Sequence, residues 1–142
     1  MITSHAFTVL AAGLAAYAVV DVAESLVPVV WRMKAEAVSY EAGTYTARVS
    51  GYKLKDCLVV PGSFIGWYRD AAEWREVPIA FPDDASPDSS NPAGWSPQSF
   101  GLFEWSDVPE AARKVKATLV HNCDGHLTVT TVGPFRLDKE GV

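Results

Sequence analysis

The side chains best suited to chemistry crowd near the C-terminus, where His121, Cys123, Asp124 and His126 fall within six positions. Imidazole, thiolate and carboxylate are the donors of a zinc-type site, but they must converge on one point. Side chains alternate between the two faces of a strand. On such a strand His121 and Cys123 point inward while His126 falls on a loop tip, so His121 reads as a core histidine, and neither a metal nor any other cofactor is expected. Asp83, Asp84 and Asp88 form a second candidate group. Hydrolysis by paired carboxylates needs them roughly 5 to 9.5 Å apart in a rigid cleft. These three lie instead on a Pro/Ser-rich segment, where acids solvate a loop. With no Gly-rich phosphate loop, nucleophile elbow or His-Glu zinc motif in the chain, no catalytic residue is assigned.

Charge narrows the partners. The 142 residues carry a formal net charge of −5, whereas nucleic-acid binding needs a basic stripe that displaces counterions from phosphates. Arg113, Lys114 and Lys116 are the nearest approach to one. They read as the solvated face of a strand, and nucleic acid is not an expected partner. Hydrophobic residues make up 49% of the chain and charged residues 20%, a balance that supports a packed core.

The first twenty residues hold no Lys, Arg, Asp or Glu, and positions 6–20 are apolar except for Thr8. As a helix they would reach about 30 Å, the thickness of a bilayer's hydrocarbon. Residues 1–25 are therefore expected to form a hydrophobic helix, transmembrane or signal-anchor, ahead of a domain over 26–142. A cleaved signal peptide is the competing reading, since Ala16-Tyr17-Ala18 fits a small-x-small cleavage pattern, and a buried soluble helix is a third. In lipid, helices associate through small residues, which makes Ala12, Gly13 and Ala16 candidate helix-packing positions. Arg32 and Lys34 favour a cytoplasmic domain by the positive-inside rule, although long domains translocate regardless of charge.

Beyond Pro28 the chain breaks into short apolar runs bounded by Gly, Pro, Asp and Ser. Residues 43–50 alternate cleanly and predict a strand, and further strands are predicted over 27–35, 53–60, 63–69, 74–81, 100–105, 113–123 and 127–137. Seven or eight short strands with no second helix imply an all-β antiparallel sandwich or barrel. For the last hairpin, a three-residue loop Asp124-Gly125-His126 pairs Cys123 with Leu127, His121 with Val129 and Val115 with Phe135. That register buries both apolar sets together, whereas a two-residue Asp124-Gly125 turn would set Leu119 opposite Thr130.

Cys57, Trp67 ten residues later and Cys123 on the penultimate strand resemble the Cys, Trp, Cys order of immunoglobulin domains. The resemblance spans about residues 27–137 and departs from the pattern at His121, where a tyrosine is usual. It implies an immunoglobulin-like sandwich with a Cys57–Cys123 bridge between the sheets and Trp67 buried against it. A bridge implies an oxidising compartment, hence a single-pass membrane protein with its domain in the periplasm or outside the cell. The order of parts is also similar to small proteins encoded by tailed phages of Gram-negative hosts. There a hydrophobic N-terminus precedes a sandwich with a Cys, an aromatic cluster like Phe64-Ile65-Gly66-Trp67-Tyr68-Arg69-Asp70, a second Cys and a closing Gly133-Pro134-Phe135. This second resemblance implies a virion as the alternative location.

Residues 82–99 form the one long irregular stretch, and it contains Trp95. A tryptophan there is either an exposed anchor for a partner or a lid folded over a sheet. The sequence thus points to a non-enzymatic β-sandwich, tethered to a membrane or carried in a virion, that binds a protein partner or copies of itself. A small periplasmic hydrolase or metal-binding protein using His121 and His126 is the rival.

Overall fold

The computed structural model describes residues 27–82 and 92–137. The expected N-terminal helix, with Ala12, Gly13 and Ala16, lies outside them, as do Asp83, Asp84 and Asp88. Among the described residues no helix is long and apolar enough to cross a membrane.

Among the described residues nine strands run β1 (Val30–Glu41), β2 (Thr44–Lys53), β3 (Leu58–Val59), β4 (Ile65–Arg69), β5 (Trp74–Val77), β6 (Ile79–Ala80), β7 (Gln98–Trp105), β8 (Lys114–Cys123) and β9 (His126–Arg136). They form two antiparallel sheets. The first has the order β1-β2-β7-β6, and in the second β8 is central, with β9 along one edge and β3 and β4 along the other, followed by β5. The predicted strand over 74–81 is two strands in different sheets. Pro78 separates them, its missing N–H interrupting the ladder, while its carbonyl accepts from Ser106 N at 3.0 Å.

The inner faces meet in one core. Tyr45, Ala47, Val49, Phe103 and Trp105 come from the first sheet, and Val115, Ala117, Leu119, Val132 and Phe135 from the second. Trp105 is fully buried, its ring 5.5 Å from that of Tyr45 and 6.4 Å from that of Phe135. Its indole N–H donates to the Lys116 carbonyl at 2.9 Å, which satisfies the one polar atom of the ring.

Trp67 is not the core tryptophan. On β4 the inward position belongs to Gly66, where a Cβ would lie 3.1 Å from Trp105 Cδ1 and 2.8 Å from the Val77 carbonyl oxygen. The glycine admits Trp105, and period-2 alternation then turns Trp67 to the outer face. There, half-buried, it donates to Thr118 Oγ1 at 2.9 Å.

β1 is longer than predicted and is interrupted by two register shifts, between Trp31 and Lys34 and between Glu36 and Ser39. Arg32 and Ala37 take positive φ at those bulges. The inward residues are Val30, Met33, Ala35, Val38 and Tyr40, a sequence of apolar positions that no strict alternation reveals. Bulges on an edge strand increase its twist and discourage pairing with another chain.

The closing hairpin also differs from expectation. Cys123 pairs with His126, and the turn is the two-residue Asp124-Gly125. Both residues have positive φ, 52° and 88°, the type I′ geometry that Asp-Gly favours. Gly125 N further donates to Asn122 Oδ1 at 2.7 Å. His121 therefore faces Thr128 rather than Val129, and Leu119 faces Thr130. Val115 nevertheless pairs with Phe135 as predicted, because a bulge between Val115 and Ala117 absorbs one residue of β9. It falls at Gly133-Pro134, with Gly133 at φ +105°. The turn sets one register, and the bulge restores the buried face.

Candidate interaction surface

The disulfide joins Cys57 and Cys123 with their Cα atoms 4.5 Å apart. Leu58 pairs with Asn122, so the preceding Cys57 sits beside Cys123 within the second sheet. The bridge is thus not the inter-sheet link that the immunoglobulin resemblance implies, and it fastens the two-residue strand β3 to the end of β8.

Buried polar side chains gather next to this bridge. Lys53 is only 2% exposed and donates from Nζ to the Cys57 carbonyl at 3.1 Å, and burial lowers its pKa. His121 is equally buried and shares a 2.6 Å hydrogen bond between Nδ1 and Thr130 Oγ1. Burial, reinforced by the Lys53 charge, pushes its pKa down to about 4, leaving a neutral imidazole. His126 pairs with Cys123 at the exposed end of β9. The candidate ligand set does not converge, since Cys123 is bonded to Cys57 and His121 is held by Thr130. Among the described residues no three His, Cys, Asp or Glu side chains are grouped to hold a metal ion.

The outer face of the second sheet is more distinctive. Leu58 is 65% exposed, and Leu127 and Val129 are each 70% exposed. Leu58 pairs with Asn122, which pairs with Leu127, while Val129 pairs with Val120. They therefore share one face of three hydrogen-bonded strands, β3, β8 and β9. Further along this face Lys116 Nζ lies 4.3 Å from the centre of the Trp74 ring and 6.0 Å from that of Trp67. Lys116 is thus placed over aromatic rings, on the face where Lys114 pairs with Arg69 and Arg136.

Trp95 is 94% exposed and is no lid. Its loop is fastened to the end of the sandwich, with Ala93 N donating to Asp56 Oδ1 at 2.6 Å and Gly94 N to the Lys53 carbonyl at 3.0 Å. Comparison with protein-family models, characterised proteins and solved structures finds no match.

Leu58, Leu127 and Val129 were not candidates on sequence grounds. In Leu127-Thr128-Val129-Thr130 either alternate set can face inward, and only the register of the hairpin decides. The signal was present in Asp124-Gly125, whose preference for a two-residue turn sends Leu127 and Val129 outward.

Proposed function

We propose that this chain is a non-enzymatic β-sandwich, tethered at a membrane or carried in a virion through its N-terminal segment, that works by binding a protein partner. The apolar patch of Leu58, Leu127 and Val129 carries this reading. Single exposed apolar residues are ordinary on a protein surface, but Leu58 on β3 and Leu127 and Val129 on β9 flank β8 on one sheet face, a grouping of apolar surface of the kind that marks an interaction site. Each leaves unburied much of the roughly 1.5 to 3 kcal/mol that a fully buried Leu or Val side chain contributes, stabilisation that a partner recovers. The occupied state of the reactive groups also supports a binding role. Cys57 and Cys123 are joined, and His121 is sealed inside.

The test uses the full chain, in the cells or virions that carry it, with a photo-cross-linking residue at position 127, 129 or 111. Ala111 is exposed and lies outside the patch. Adducts to one discrete protein from positions 127 and 129, and none from 111, are expected. Equal yields from all three positions, or no protein adduct from any, would overturn the proposal.

A further inference from the structure

At the start of the first strand Leu54 N donates to the Val29 carbonyl at 2.8 Å before Val30 pairs with Lys53. That end of the sandwich also carries the Cys57–Cys123 bridge and the Asp124-Gly125 turn. Two tryptophans flank the junction. Trp31, 45% exposed, follows Val27 by four positions, with its ring 5.7 Å from that of Tyr52 and the Arg32 guanidinium 4.3 Å from its centre. Trp95, 94% exposed, is the most exposed large hydrophobic residue among those described. Its exposure is built rather than incidental. Besides the bonds from Ala93 and Gly94, the loop is closed by Gln98 Nε2 donating to the Pro92 carbonyl at 2.7 Å.

Tryptophan combines a large apolar ring with one N–H donor, and it concentrates at the headgroup level of membranes. The position of these two along the chain points to the same place. Between the uncharged run that ends at Val20 and Val27 stand the six residues 21–26, which span about 20 Å at full extension. With that run held in a bilayer, no other part of the sandwich is kept as close to the headgroups as this end. We propose that the junction end of the sandwich seats on the lipid headgroup layer, with Trp95 and Trp31 in the membrane interface. This rests on the tether proposed above and adds the orientation of the domain upon it. Asp56 and Asp124 lie at the same end as Arg32 and Lys55, so the mixed charge places the contact on the indole rings rather than on attraction to anionic lipid.

The experiment reconstitutes the full chain in phosphatidylcholine vesicles carrying bromine, a fluorescence quencher, either near the glycerol end or near the methyl end of the acyl chain. Flotation reports the tether, and tryptophan quenching reports the seat. The chain is expected to float, to be quenched more strongly by the shallow bromine, and to lose most of that quenching in Trp95→Phe, with the remainder falling in Trp31→Phe/Trp95→Phe. A chain that floats but is quenched equally with and without Trp95 overturns the seat and leaves the tether standing, and the Trp95 loop then faces water or a protein. A chain that does not float overturns the tether and the seat together.

Discussion

Tyr45 is fully buried in the core, and among the described residues its hydroxyl has no hydrogen-bond partner. A hydroxyl taken from water and left unpaired is destabilising by about 1 to 3 kcal/mol. Tyr45→Phe, which keeps the ring against Trp105, is therefore expected to unfold at equal or higher urea concentration than the native chain. Burial also pushes the Tyr45 pKa up to about 12 from 10.0. The unfolded tyrosine ionises first, so stability should fall as pH rises between those two values, and Tyr45→Phe should lose less. His121 gives the opposite limb. Its folded pKa of about 4 lies below the ordinary imidazole value of 6.5, so the unfolded state takes up a proton as pH falls through that window while the folded state does not. The associated loss is on the order of 2 to 3 kcal/mol. Urea titrations of native chain and His121→Gln at neutral and mildly acid pH should show a smaller acid loss in the variant.

At the scale of elements, the two tryptophans of the central packing have exchanged the roles that position in the chain suggests. Trp105 stands over Gly66 inside the core, whereas Trp67 lies outside on a single hydrogen bond to Thr118. Trp105→Ala should lower stability by about 3 to 5 kcal/mol, the range for truncating a large buried aromatic. Trp67→Ala should cost about 1 kcal/mol, near the contribution of one hydrogen bond. Chemical denaturation of both variants checks the order, and a larger loss from Trp67 would contradict the packing. The disulfide acts on an element that could hardly persist alone, since β3 has two residues. Closing a 66-residue separation contributes about 4 kcal/mol in the chain-entropy account. The double variant Cys57→Ala/Cys123→Ala should unfold at markedly lower temperature, and intact mass after alkylation without reductant should show no modified thiol in the native chain.

At the scale of the molecule, the exposed large apolar side chains among the described residues are not scattered. Val27, Trp31, Leu58, Trp95, Leu127 and Val129 all lie toward the end where β1 begins, β2 stops and the last hairpin turns. The core lies between the sheets and uses none of them, so changing them should separate binding from folding. Leu127→Lys/Val129→Thr is expected to keep its thermal midpoint within the small range of surface substitutions, about 0.5 kcal/mol each, while gaining solubility in the absence of a partner. A large loss of stability would mean that this face is packed rather than open.

The all-β character and the punctuation of most strands were legible in the sequence, because alternation and turn residues act over a few neighbours, while the Cys57–Cys123 pairing was implied by the resemblance to the immunoglobulin order. Clean alternation over 43–50 became β2, whereas the three-residue loop expected at Asp124-Gly125-His126 is the two-residue turn Asp124-Gly125. Tertiary structure decided which face each strand buries. A one-residue shift inverts every side chain, and bulges at Arg32, Ala37 and Gly133-Pro134 make such shifts without disturbing local composition. For the same reason Trp67 and Trp105 could not be ranked as core residues until Gly66 was placed beneath one of them. Nor could Leu127 and Val129 be recognised as surface until the turn and the bulge together set the register of β9.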